Sequence, residues 1–270
     1  PAPVSALIHA ATMVVAGVYL VARSLPLFEL SEPAMLLVAS IGVVTSLMAG
    51  TMALVMTDLK RVLAYSTITD LGFMMLALGS GSVTAAMFHM VVHGFSKAVL
   101  FLGAGSVTHS TDQTDIREMG GLWRKMPWTA VVFGIGALGL GGIPPFGGFF
   151  SKDEVLSAVW DGRGGLFLGL GMLVAFLKAL YMARLLFSVF LGRLKPHNDY
   201  AHESPFLMVA PMVLFAFLAL TLGFLALSYT NDYRGFGWFV YSHEPEAFHL
   251  NVGVAAGSVA LAVVGFALAW

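Results

Sequence analysis

The 270 residues carry 14 Lys and Arg against 15 Asp and Glu, no Cys, and 58% hydrophobic residues with only 11% charged, where a soluble domain has about a quarter charged. A mean hydropathy of +0.86 and a sequence pI near 6.8 describe a membrane-embedded chain and exclude a basic nucleic-acid surface. Without Cys the chain has no disulfide, thiolate zinc site, haem attachment or Cys-ligated iron–sulfur cluster of its own, so if redox chemistry is involved, another subunit performs it.

The opening "PAPVSALIHAA" has no initiator Met, no basic stretch and no small-residue cleavage site, so it is not a signal peptide and reads as a chain entered partway through. Apolar runs long enough to cross about 30 Å of hydrocarbon follow at Val4–Ala22, Ala34–Met56, Lys60–Leu78, Val83–Val107, Leu166–Leu191, Pro205–Ser228 and Asn251–Trp270. Between the fourth and fifth lies Trp128–Trp160, whose middle holds Gly139, Gly141, Gly142, Pro144, Pro145, Gly147 and Gly148. Gly favours bends and Pro lacks a backbone donor, so this segment is expected to be one spanning helix broken near residues 143 to 148. Interrupted backbone in lipid is tolerated only where protein or a wet cavity satisfies it, and such helices mark transporters. The expectation is an all-α polytopic membrane protein of about eight transmembrane helices, one of them discontinuous, forming a single domain over residues 1–270.

Threading the chain through these spans places Arg23, Arg163 and Arg234 on one side and Lys60, Arg61, Arg117, Arg124, Lys125, Arg193 and Lys195 on the other. By the positive-inside rule the loop 108–127 is cytoplasmic. On an organellar membrane the same side is the matrix side.

Other charges lie within the spans: Asp70, Lys97, Lys152, Asp153, Glu154, Lys178 and Arg184, with His9, His89 and His93. A single intramembrane His is as often a hydrogen-bonded core residue as a functional one. A Lys or Asp at midplane costs about 2.5–3.5 kcal/mol to insert, which marks the set as functional. His89, His93 and Lys97 are spaced four and four apart, stacking along one helix face with about 6 Å of rise between neighbours. Imidazole accepts a proton on one nitrogen and donates from the other, so the ladder can relay protons. The plainer alternative is a polar seam between helices. After the break, Ser151 or Asp153 suits a helix N-cap, which leaves Lys152 as a candidate proton-exchange site. Counting along their helices puts Asp70 about 15 Å and Lys178 about 18 Å deep from opposite faces, which suggests a buried ion pair.

"PVSALIHAATMVVAGVYL", "TDLKRVLAYSTI", "FHMVVHGFSKAVLF" and "GFFSKDE" together resemble the antiporter-like membrane subunits of NADH:quinone oxidoreductase (respiratory complex I), and most closely the subunit L, or chain 5, branch of that family. The resemblance implies proton translocation by a subunit with no catalytic, cofactor-binding or metal site of its own. NADH, flavin, iron–sulfur clusters and quinone would lie in partner subunits, and sister antiporter-like subunits would be neighbours. Residue by residue it assigns His9, His89, His93 and Lys97 to a central polar axis, Lys152 with Asp153 to the discontinuous helix, and Lys60 to the mouth of a helix. The family fold has two inverted repeats of five helices. Residues 1–23 would be the last helix of the first repeat, 34–191 the second repeat, and 205–270 additional helices. Family members commonly have an uncharged residue where Asp70 stands and Thr or Ser where Lys178 stands. Two other readings share these features: the large subunit of a multi-subunit Na⁺/H⁺ antiporter or membrane-bound hydrogenase, and a structural membrane scaffold.

Overall fold

A computed structural model describes residues 2–10, 12–227, 235–240 and 251–270. The α-helices in chain order are α1 (Ala2–Ala10), α2 (Ala16–Arg23), α3 (Leu25–Phe28), α4 (Glu32–Val55), α5 (Leu59–Gly79), α6 (Val83–Thr111), α7 (Pro127–Leu140), α8 (Gly147–Arg163), α9 (Gly165–Phe190), α10 (Phe206–Thr221) and α11 (Val252–Ala269). The described residues contain no strand, only an isolated antiparallel bridge between Asp58 and Asp115. Among the described residues six helical segments are long and apolar enough to cross a membrane: α4, α5, α6, α9, α10 with the 3-10 turn that continues it to Ala226, and α11. The chain is a multi-pass membrane protein.

Local chemistry sets the helix ends. Asp58 caps α5 by accepting from the Arg61 amide at 2.9 Å, Ser82 caps α6 through the Ala85 amide at 3.1 Å, and Asn251 caps α11 through Gly253 and Val254. Pro127 starts α7, where its missing amide costs nothing.

The expected break is present, between Leu140 and Gly147. It opens two residues earlier than the Pro pair suggested, because Gly142 turns the chain at φ +74° and a Cβ there would meet Lys152 Nζ at 2.6 Å. Two expectations need correction. Val4–Ala22 is not one helix: the chain leaves helical geometry between α1 and α2, where the Thr12 hydroxyl turns back to the Leu7 carbonyl at 3.0 Å. Neither Ser151 nor Asp153 caps α8, whose N-cap position is Phe146, with no side-chain cap. Both residues sit a turn inside and point elsewhere.

α4 and α5 touch backbone to backbone. A Cβ on Gly72 would stand 2.5 Å from the Gly42 carbonyl and 2.6 Å from Ser46 Oγ, and one on Gly42 would stand 2.7 Å from the Gly72 carbonyl. Two apolar clusters fill the bundle. One, toward the end that carries loop 112–126, contains Leu59, Leu63, Leu100, Phe133, Tyr181 and Phe190. The other, toward the opposite end, contains Val43, Phe73, Leu76, Leu156, Val159 and Val174. The buried polar residues of α5, α6, α8 and α9 lie between them.

The two ends of the bundle are held differently. At one, Arg163 pairs with Glu32 and donates to the Gly79 carbonyl at 2.7 Å. At the other, Lys125 pairs with Asp199 at 2.9 Å, Arg117 with Asp115 at 2.6 Å, and the Leu59 amide donates to the Thr114 carbonyl at 2.8 Å. Arg234 and Ser228, which figured in the predicted topology, lie outside the described residues.

Candidate functional site

The ladder forms as α6 passes through the polar layer: His89, His93 and Lys97 are all essentially inaccessible, at 1%, 0% and 0% exposure. α5 faces it with Ser66 and Asp70, the latter fully buried. The hydroxyls of Ser66 and Thr67 both donate to the Leu63 carbonyl, and Thr69 donates to Tyr65, so they are satisfied within their own helix. Ser46 of α4 donates to the Thr69 carbonyl at 2.8 Å, which small residues on α4 permit.

Asp70 is the centre of the cluster. Its Oδ2 lies 3.0 Å from His93 Nδ1 and 3.5 Å from Lys97 Nζ. Its Oδ1 lies 2.5 Å from Lys178 Nζ on α9 and 3.6 Å from His89 Nε2. The Lys178 contact is a close ion pair that lies off the hydrogen-bond direction of Oδ1. Lys178 also lies 3.3 Å from His89 Nε2 and 5.0 Å above the Phe73 ring, a cation–π position. Each isolated ion would cost several kcal/mol to bury, so a carboxylate between two ammonium groups is mutually stabilising.

The rungs do not bond to one another among the described residues. His89 Nδ1 reaches Ser151 Oγ on α8 at 2.9 Å, which links the ladder to the discontinuous helix. Lys97 turns toward α5, donating to Ser66 Oγ and to the Leu63 carbonyl at 3.4 Å. Among the described residues, His93 Nε2 and Ser96 Oγ are buried without a hydrogen-bond partner. His89 holds Lys178 or Asp70 on Nε2 and Ser151 on Nδ1, so either tautomer has a partner on each side.

Lys152 is buried on α8 and donates to the Gly142 carbonyl at 3.1 Å, one of the acceptors that the break exposes. Asp153 Oδ1 lies 3.8 Å from Lys152 and accepts from Ser258 of α11 at 2.5 Å. The structure thus brings together Asp70, His89, His93, Lys97 and Lys178, and separately Lys152 with Asp153. Ser151, the residue before Lys152, bonds to His89 and so ties the first group to the helix that bears the second. His9 stands apart: it is half-buried on α1 and stacks on Phe101, with ring centroids 5.0 Å apart. Lys60 is half-buried in the first turn of α5, ten residues from Asp70. Arg184, counted among the intramembrane charges, lies near the end of α9 and donates to the Met56 carbonyl at 3.0 Å. Glu154 is half-buried.

Sequence reasoning missed three hydroxyl partners. Ser66 had a signal, standing four residues before Asp70 on the same face. Ser151 was read as a cap, and Ser258 carries no local signal, since only packing brings α11 to α8.

Comparison with known proteins gives the family. The family described as NADH:quinone oxidoreductase/Mrp antiporter, transmembrane, matches residues 1–178, which include the whole cluster. The chain is 46% identical over 245 residues to the chloroplastic NAD(P)H-quinone oxidoreductase subunit 5 of Chaetosphaeridium globosum, covering 85% of this chain and 36% of that protein. It is 45% identical over 231 residues to the NADH-quinone oxidoreductase subunit L of Campylobacter jejuni, covering 85% of this chain and 38% of that protein. In structure it resembles a chain of the Mrp complex from Dietzia sp. with a TM-score of 0.82 and 30% identity, covering 99% of this chain and 30% of that one. It spans less than half the length of these relatives. With all five members of the charge cluster inside the matched residues, on a bundle with the same path as a solved relative, the chain belongs to the NADH:quinone oxidoreductase/Mrp antiporter transmembrane family.

Proposed function

We propose that this chain is a proton-translocating, antiporter-like part of an NADH:quinone oxidoreductase. Protons would pass along the buried axis of Lys152, Ser151, His89, Asp70, His93 and Lys97. The observation that carries the reading is the chain of contacts from the discontinuous helix through His89 to Asp70 and on to His93 and Lys97, all in a layer closed to solvent. A structural scaffold has no need of three lysines and a carboxylate at this depth. The names of the curated relatives support the oxidoreductase.

In this reading the redox steps belong to other subunits. NADH, flavin, iron–sulfur clusters and quinone lie there, and quinone reduction is felt here as a shift of charge along the axis. Neighbours are other membrane subunits, sister antiporter-like ones among them, and lipid. The end bearing Arg117, Lys125, Arg193 and Lys195, with loop 108–127, faces the cytoplasm of an energy-coupling membrane. Residues 34–191 form the second five-helix repeat, residues 1–23, with α1 and α2, the interrupted last helix of the first, and 205–270 the added helices. His9 and Lys60 would serve the ends of the path.

A second reading, a subunit of a multi-subunit Na⁺/H⁺ antiporter, draws on the likeness to the Mrp complex. Co-purification of NADH-oxidising subunits with the full-length protein favours the first, and their absence favours the second.

The mechanism is tested by Lys97→Met and Lys152→Met in the assembled complex. Each removes an exchangeable charge while keeping an apolar stem. Both variants are expected to insert and to pump fewer protons per unit time. Unchanged pumping rate and proton-to-electron ratio in both would leave the scaffold reading.

A further inference from the structure

Asp70 is one carboxylate with two ammonium groups in reach, and its two oxygens divide the neighbours between them. Oδ1 faces Lys178 of α9 at 2.5 Å and His89 at 3.6 Å. Oδ2 faces His93 at 3.0 Å and Lys97 at 3.5 Å. Lys97 has two further acceptors on α5, Ser66 Oγ and the Leu63 carbonyl. Among the described residues Lys178 has a ring nitrogen and an aromatic face besides the carboxylate. The tighter claim on Asp70 is therefore that of Lys178.

We propose that Asp70 is a counter-ion shared between Lys178 and Lys97, and that Lys178 is a positioning residue that limits how tightly the carboxylate holds Lys97. The inference rests on the proton-translocating reading. An ammonium that must release its proton is served poorly by a close carboxylate, because the pair is strongest when the proton stays. With Lys178 in place, Asp70 is occupied on Oδ1 and stands 3.5 Å from Lys97. When Lys97 gives up a proton, one N–H bond breaks there and one forms on the acceptor. The Asp70 carboxylate and the Lys178 ammonium keep their charges, and neither makes or loses a bond to hydrogen. The remaining pair is neutral, so the deprotonated state leaves no unbalanced ion in the layer.

The test is a double-mutant cycle in the full-length subunit within its assembled complex, read as proton uptake by inverted membrane vesicles per assembled complex. Lys178→Thr frees the carboxylate to close on Lys97, and the expected result is pumping slowed about tenfold. The carboxylate keeps His93, Lys97 and His89 as partners, so assembly is expected to persist. Should Lys178→Thr accumulate poorly, Lys178→Met, which keeps the apolar stem, takes its place. Asp70→Asn leaves two ammonium groups without a counter-charge and is expected to lower the amount of assembled subunit. Asp70→Asn combined with Lys178→Thr removes one charge of each sign, and both assembly and pumping are expected to exceed those of the worse single variant. Wild-type pumping in the lysine variant, or a double variant no better than its worse parent, overturns the proposal. Lys97→Met is the control that separates the two levels. Slow pumping there with wild-type pumping in Lys178→Thr sinks only the shared counter-ion, whereas wild-type pumping in both Lys97→Met and Lys152→Met removes the reading on which it rests.

Discussion

His89 Nδ1 and Ser151 Oγ lie 2.9 Å apart, and this contact joins the ladder on α6 to the discontinuous helix pair. Ser151 is fully buried, so no solvent replaces the partner when it is lost. Ser151→Ala is expected to cost about 1–3 kcal/mol of stability and to slow proton pumping several-fold without blocking insertion. Vesicle pumping measurements decide the point, and a wild-type rate removes Ser151 from the path.

The close approach of α4 and α5 leads to a second expectation. A side chain on Gly72 meets the Gly42 carbonyl and Ser46 Oγ within 2.6 Å, whereas nothing lies within 4 Å of a Cβ on Gly17. Gly72→Val is expected to destabilise the bundle by about 3 kcal/mol and to pull Asp70 away from the ladder, since both sit on α5. Gly17→Ala is the control and is expected to be tolerated. The folded fraction on heating in detergent compares the two.

Glu203, in the segment before α10, caps the start of α7 from a distance. Its Oε2 accepts from the amides of Trp128 at 2.8 Å and Thr129 at 3.2 Å, and its Oε1 accepts from the Thr129 hydroxyl at 2.5 Å. The carboxylate thus satisfies two of the free amides at a helix N-terminus and sits favourably in its dipole. Glu203→Ala is expected to lower stability by about 1–2 kcal/mol, seen as a lower Tm. An unchanged Tm would mean that water replaces the cap at no cost.

The loop between α6 and α7 carries a pH dependence. Side-chain and backbone hydrogen bonds from Arg117 pull the Asp115 carboxyl from its ordinary 3.8 down to about 2. A carboxyl lowered in the folded state contributes stability that is complete above its unfolded value and lost as pH falls through its folded value. The loop amides are therefore expected to keep their hydrogen-exchange protection, corrected for intrinsic rates, down to about pH 4 and to lose it toward pH 2. Arg117→Ala is expected to lower the protection above pH 4 and to shrink the loss between pH 4 and pH 2. The same profile in both proteins would show that the pair does not anchor the loop.

The sequence by itself determined the solvent, the long helices and the depth of the charges. Hydrophobic length is a one-dimensional property, so the runs at Ala34–Met56, Val83–Val107 and Leu166–Leu191 became α4, α6 and α9 with shifts of a few residues. The Gly/Pro cluster ended α7 because Pro lacks a donor and Gly142 takes a positive φ. Rise per residue let depth be counted, which put Asp70 and Lys178 at one level. What counting along a helix leaves open is its rotation and its neighbours, and these only the tertiary structure decided. Gly42 and Gly72 bring α4 against α5, and the rotation that results aims Asp70 at α6 and α9 together, so one carboxylate serves two lysines. On α1, before the interruption, His9 stacks on Phe101, one turn beyond Lys97 on α6, and does not join the hydrogen-bonded cluster among the described residues. Ser258 comes from a helix a hundred residues further along the chain to hold Asp153, a pairing made by packing alone.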